Sequence, residues 1–206
     1  VIAALVVCGG LGFVVVQDLV TRLSGRSRSI SLHSRIVVWM TAALILGGAA
    51  AYYVLERRQE LAGMSTPYAL VNAVFQSITT RTAGFDVLPQ SELSNPSLLL
   101  TLLLMFTGGA PGSTAGGVKV TTVFLVLLAV IRGTDSGGSL NVRNRRIDAE
   151  TVARAPLFLL RALALLFAAI LALCVSEIAT AGADRPFLGV VFESFSAFGT
   201  VGLSMG

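Results

Sequence analysis

Residues 74–85 read Val74-Phe75-Gln76-Ser77-Ile78-Thr79-Thr80-Arg81-Thr82-Ala83-Gly84-Phe85, and residues 191–203 read Val191-Phe192-Glu193-Ser194-Phe195-Ser196-Ala197-Phe198-Gly199-Thr200-Val201-Gly202-Leu203. The two stretches repeat one unit. Val74-Phe75-Gln76-Ser77 answers Val191-Phe192-Glu193-Ser194, and Thr82-Ala83-Gly84-Phe85 answers Thr200-Val201-Gly202-Leu203, with one extra residue between the two parts of the second copy. Each copy follows a long apolar run, at 36–55 and 156–175. The repeating unit reads as apolar span, short helix and Thr-x-Gly loop, then a further span.

Working outward, hydrophobic residues make up 54% of the chain, charged residues 13%, and the mean hydropathy is +0.82. Soluble domains carry about 25% charged residues, so a soluble core describes this chain poorly. Further apolar runs lie at 1–16 and at 98–131, the latter with a glycine-rich interruption. Their lengths suit a bilayer that needs about 20 apolar residues per helix, and a multi-pass, all-α membrane protein is expected. Val1 opens inside an apolar run without an initiator methionine, and Gly206 follows a glycine-rich loop. A piece of a longer polypeptide is expected, not a signal peptide. Cys8 and Cys174 lie in apolar runs without a His/Cys cluster, which reads as small packing residues.

The arginines set the topology. Arg22, Arg26, Arg28 and Arg35 crowd one connection, and Arg132, Arg143, Arg145, Arg146 and Arg154 another, so both are read as cytoplasmic. The segment between them crosses an even number of times, and 36–55 with 98–131 supply two crossings. Residues 68–88 are too short to add a third. They read as a re-entrant hairpin, in which a short helix descends from outside and a non-helical return climbs back facing a pore. The net charge of +4 resides mainly in the two basic connections, which topology and anionic headgroups explain without nucleic acid.

The residue types fit cation coordination by main-chain oxygens. A dehydrating potassium ion needs a ring of oxygen ligands, and backbone carbonyls supply them without fixed charge. Gly84 and Gly202 permit conformations that turn successive carbonyls the same way, with the hydroxyls of Thr82 and Thr200 as further ligands. The expected filter comprises Thr82, Ala83, Gly84 and Phe85 with Gly199, Thr200, Val201, Gly202 and Leu203, potassium meeting the carbonyls of Thr82, Ala83, Thr200 and Val201. Each short helix would aim its negative C-terminal end at the ion. Arg81 beside this loop would repel a cation, so it is read as a structural brace with Asp86 or Glu193 as its carboxylate partner. Gln76 holds the place of Glu193 without charge.

The interruption at 108–117 reads Gly108-Gly109-Ala110-Pro111-Gly112-Ser113-Thr114-Ala115-Gly116-Gly117, then Val118-Lys119. Six glycine or proline positions should unwind the helix at membrane depth. Lys119 is then expected to face a cavity or a buried partner. A phosphate loop is excluded, because Val118 intervenes before Lys119 and no soluble strand precedes it. His33 stands among arginines and reads as solvated.

These stretches, with Gly9-Gly10-Leu11-Gly12-Phe13, resemble the Trk/Ktr/HKT potassium transporter superfamily, especially its bacterial Ktr-type membrane subunit. The resemblance covers nearly the whole chain and implies a potassium-channel-like fold of four span, pore loop, span units around one pore. It assigns 1–20 to the end of a second-unit inner helix, 21–35 to a cytoplasmic basic loop, and 36–132 to a third unit. Residues 133–154 become a second cytoplasmic basic loop, and 155–206 the first span and pore loop of a fourth unit. Gly84 and Gly202 would be two of four filter glycines, so the segment alone should not close a conduction path. The resemblance implies an intramembrane gate at 108–117, carried by Gly108, Gly109, Gly112, Ser113, Thr114, Gly116 and Gly117 with Lys119 beside it. Ala115 departs from the pattern, standing where related chains often have glycine.

The function implied is potassium uptake across the plasma (inner) membrane, with an influence of sodium and with the filter loops on the extracellular side. Implied partners are a second copy in a homodimer, the lipid membrane, and a cytoplasmic ring of nucleotide-binding regulatory subunits. The chain itself is expected to bind no nucleotide and no nucleic acid. Arg143, Arg145 and Arg146 with the 21–35 connection are the expected docking region. A secondary transporter with discontinuous helices is the other reading, but it has no need of paired Thr-x-Gly steps. An intramembrane enzyme finds no support, since Ser113 has no histidine at hand and no two acids share a span.

Overall fold

The computed structural model describes residues 1–25, 30–142, 145–179 and 186–206. The helices are α1 (Ile2–Leu11), α2 (Phe13–Leu23), α3 (Leu32–Glu56), α4 (Thr66–Thr79), α5 (Asn95–Phe106), α6 (Val120–Arg132), α7 (Ala149–Ala179) and α8 (Phe187–Gly199). A short antiparallel hairpin, β1 (Leu140–Val142) with β2 (Arg145–Ile147), precedes α7 in register Leu140 to Ile147. Arg26, Arg28 and Arg143 lie outside the described residues.

Among the described residues, two helices, α3 and α7, are long and apolar enough to cross a membrane, and the bent pair α1 and α2 makes a third if it forms one broken span. Phe158, Leu160, Leu165, Phe167 and Leu171 of α7 are all exposed, as a lipid-facing helix requires. The span expected at 156–175 extends seven residues further toward the N-terminus. Those extra residues include Glu150 near the positive helix end and the Glu150–Arg154 pair one turn apart. Likewise α3 begins at Leu32, inside the expected loop 21–35, and takes in His33. Its start is fixed by Ser31, whose hydroxyl accepts the Ser34 amide at 3.2 Å while Asp18 of α2 accepts both serine hydroxyls.

The apolar run 1–16 is not one straight helix. It bends by 103° at Gly12, whose φ of 79° belongs to glycine's range. Cys8 lies exposed on α1, contrary to its expected packing role, and Cys174 is half-buried. The expected loop 133–154 is partly the hairpin and partly α7.

The run at 98–131 is broken as expected into α5 and α6, of 12 and 13 residues. Pro96 sits in the first turn of α5, where its missing N–H leaves nothing unpaired. The Glu56 carboxylate at the end of α3 accepts from the Ser94 amide at 3.0 Å and from its hydroxyl at 2.6 Å, so one helix end caps the next. Between them α4 has 14 residues, about 21 Å and too short to cross.

The main core joins α3, α4, α5 and α8 around Tyr52, Met105 and Phe192, each fully buried. It extends to Val201 and Leu203, so the second Thr-x-Gly loop is part of the core. Gly48 lets α4 approach α3: an added Cβ would stand 2.3 Å from the Ser77 hydroxyl, which itself bonds the carbonyls of Leu44 and Ile45. Gly47 faces open space. Gly48→Val is therefore expected to lower the thermal stability of the detergent-purified protein by about 1–3 kcal/mol through overpacking. Gly47→Ala should be neutral or stabilising by up to about 1 kcal/mol, and equal effects of the two would refute this packing account.

Candidate functional site

Helix α4 ends at Thr79 and α8 at Gly199, and each is followed by a threonine and then a glycine of positive φ. Thr82 has φ 75° and Gly84 φ 68°; Thr200 has φ 53° and Gly202 φ 89°. Among the described residues, Thr82 and Thr200 are the two non-glycine residues with positive φ. A β-branched residue resists that region at a cost of about 1–3 kcal/mol, so the surroundings must impose it.

The imposing contacts repeat as well. The Thr79 hydroxyl donates to the Phe85 carbonyl at 2.8 Å, and the Ser196 hydroxyl donates to the Leu203 carbonyl at 2.6 Å. Ala83 N–H bonds the Thr79 carbonyl, and Val201 N–H bonds that of Ser196. The steps also meet, since a Cβ on Gly84 would fall 2.6 Å from the Val201 carbonyl oxygen and 3.2 Å from the Gly202 Cα. Neither threonine hydroxyl is idle. Thr82 turns its own to the Arg81 carbonyl, and Thr200 accepts the Gly116 amide at 3.1 Å.

Gln76 and Glu193 occupy equivalent positions and hold the chain beyond each step by different chemistry. Gln76 donates to Gln90 at 3.0 Å, and Gln90 donates to Asp86 and to the Leu88 carbonyl, both at 2.7 Å. Glu193 accepts from the Ser204 hydroxyl at 2.6 Å and the Met205 amide at 3.1 Å. The expectation that Asp86 or Glu193 would pair with Arg81 is corrected. Both carboxylates serve nearer donors, while Arg81, only 7% exposed, donates to the Gly108 carbonyl at 3.0 Å.

That carbonyl opens the glycine segment. Gly108 N–H bonds the Val118 carbonyl and Val118 N–H that of Phe106, so the segment leaves and rejoins the helical path at a narrow neck. A Cβ on Gly108 would lie 1.7 Å from the Gly116 carbonyl oxygen, and only hydrogen fits. Lys119 folds back to cap the Ala115 carbonyl at 2.6 Å, and it lines a cavity of about 360 Å³ with Thr122, Phe158 and Phe198. Ser113 accepts the Ala115 amide at 3.3 Å.

The sequence did not reveal what the other side of the segment touches. Ala110 N–H bonds the Gly10 carbonyl at 2.9 Å, Thr114 N–H that of Gly9 at 3.3 Å, and Phe13 N–H that of Gly112 at 3.2 Å. The Phe13 ring covers Gly112, where an added Cβ would come within 2.8 Å of it. The bend at Gly12 and the glycine segment are thus one interlocked backbone joint. The signal was the shared glycine density of 9–12 and 108–117. Among the described residues, no group of three or more His, Cys, Asp or Glu could hold a metal ion.

A helical membrane protein with a broken helix and two short helices each followed by a positive-φ threonine and glycine is a narrow class. A family profile described as "TrkH: Cation transport protein" matches residues 1–206. The chain is 37% identical to the potassium/sodium uptake protein NtpJ of Enterococcus hirae over 100% of its own length and 45% of that protein's. It is 35% identical to the Ktr system potassium uptake protein B of Bacillus subtilis, again over 100% and 45%. The crystal structure of the potassium transporter TrkH from Vibrio parahaemolyticus aligns with TM-score 0.69 at 18% identity, covering 98% of this chain and 44% of that one. The chain belongs to the TrkH cation transport family, and it spans less than half the length of these relatives. They are ion uptake proteins, so an enzymatic reading is set aside.

Ser196 serves the second step twice, donating to Leu203 and accepting the Gly202 amide at 3.2 Å. Ser196→Ala is expected to cost about 1–3 kcal/mol and to speed hydrogen exchange at Gly202. Unchanged exchange there would show that the hydroxyl does not hold the turn.

Proposed function

We propose that this chain supplies two of the carbonyl-lined steps of a potassium uptake pore, and the glycine segment that gates it. The observation carrying this reading is the positive φ at Thr82 and Thr200, each followed two residues later by a positive-φ glycine. Inverting the hand at every second residue brings carbonyls that would alternate onto one side. A row of oxygens then substitutes for the hydration shell of a potassium ion, at the carbonyls of Thr82, Ala83, Thr200 and Val201. Strain of this kind, kept in both copies, belongs with function.

On this reading Gly84, Phe85, Gly199, Gly202 and Leu203 complete the two filter loops on the extracellular side of the plasma membrane. Residues Gly108, Gly109, Gly112, Ser113, Thr114, Gly116, Gly117 and Lys119 form the gate. The Gly116 to Thr200 bond supports it, since it ties the glycine segment to the second Thr-x-Gly step. Asp86 and Glu193 brace the loops through Gln90 and Ser204, and Arg81 braces filter to gate through Gly108. Whether sodium accompanies or modulates potassium is part of the proposal, prompted by the potassium/sodium relative. The exposed Arg145 and Arg146 of the hairpin offer a cytoplasmic ring of nucleotide-binding regulatory subunits a positive docking site. A homodimer completes the assembly.

The test is ion flux by the full-length protein in liposomes with potassium, rubidium and sodium. Gly84→Ser and Gly202→Ser should each reduce the preference for potassium over sodium by about tenfold or more, the equivalent of about 1.4 kcal/mol. Unaltered selectivity in both would sink the filter assignment. Deleting 112–115 should raise basal flux and uncouple it from the regulatory partner, whereas unchanged flux would reject the gate.

A further inference from the structure

Two buried polar groups without partners belong to residues that line one small cavity. Arg81 is 7% exposed, and its Nε makes no hydrogen bond among the described residues. Thr41 on α3 is 5% exposed, and its hydroxyl makes none either. Both line a cavity bounded also by Gly10 of α1, Ile45 of α3, Ile78 of α4 and Gly109 of the glycine segment. The space is about 10 Å³ for a water-sized sphere.

The chemistry is specific. A hydroxyl inside a helix ordinarily bonds a carbonyl one turn back, as Thr101 does to Ser97 and Ser194 to Val190. Thr41 does not. The Arg81 guanidinium has an acceptor for Nη2 in the Gly108 carbonyl, but its Nε–H points to no protein oxygen. Buried donors left unpaired are rare in folded proteins, and about 10 Å³ is the least space that holds one ordered water. Wholly apolar voids stay dry, but two of the residues lining this one carry an unpaired polar atom.

We infer that a single ordered water occupies this cavity, accepts the Arg81 Nε–H and hydrogen-bonds the Thr41 hydroxyl. Arg81 is thereby tied to three places at once: to the filter step through the chain at Thr82, to the glycine segment through Gly108, and to α3 through the water. Thr41 becomes a positioning residue for the loop although it touches no ion. This last role rests on the filter reading above, while the water site does not.

The experiment is a density map of the full-length protein at a resolution that shows ordered water, in chloride and in bromide buffer. A peak about 3 Å from both Arg81 Nε and Thr41 Oγ1 is expected, without anomalous signal in bromide. No peak, a peak bonded to only one of the two, or a bromide signal marking a halide would overturn the proposal. Thr41→Val, nearly isosteric, should lose the peak and lower potassium over sodium selectivity in liposomes by about threefold to tenfold, the effect of one net hydrogen bond. Thr41→Ser should restore both. Loss of the peak with selectivity intact would reject the positioning role. Gly84→Ser in the same assay separates the cases, because its failure to alter selectivity would remove the filter reading and leave the water peak standing.

Discussion

A backbone that leaves the helix at membrane depth must find partners for every N–H and C=O it releases, because lipid offers none. The rest of this structure follows from how the break between α5 and α6 meets that demand. Its amides and carbonyls are taken by the neck at Phe106 and Val118, by Gly9, Gly10 and Phe13 at the bend between α1 and α2, and by the Thr200 hydroxyl and the Arg81 guanidinium. Approach this close is possible because Gly12, Gly108, Gly109 and Gly116 carry no side chain where one would collide with backbone or side-chain atoms. Two breaks that would each be unaffordable alone satisfy each other.

Much of this was legible in residues. The paired Thr-x-Gly steps, the glycine interruption and the apolar runs located the elements, because local conformational freedom and hydropathy are properties of short stretches. The one-residue offset between the copies was also visible, and it shows in the hydroxyl braces, with Thr79 and Ser196 in register along the helices while the steps are displaced by one. What escaped was everything decided across the fold. No spacing rule connects Arg81 to a carbonyl 27 residues away, and its charge points to a carboxylate where the fold supplies a main-chain oxygen. The inward reach of α7 to Ala149 was hidden because Pro156 reads as a start, although a proline in the second turn removes one bond without ending the helix.

The bend at Gly12 teaches the same lesson differently. As sequence, 1–16 is a single apolar run, and nothing in its hydropathy distinguishes a straight helix from one turned by 103°. The distinction is made by the partner segment nearly 100 residues later, whose own glycines accept the turn. Local propensity allowed the break, and tertiary contact chose it.

The different hooks at Gln76 and Glu193 have a further consequence. In an assembly of identical subunits every wall of a central passage must carry the same latch, but copies strung along one polypeptide are released from that rule. Here the chain after one Thr-x-Gly step is pinned by an amide relay of two glutamines, and the chain after the other by an acid gripping a serine and a main-chain amide. Evolution can therefore retune one loop, in stiffness or in charge, and leave the other untouched.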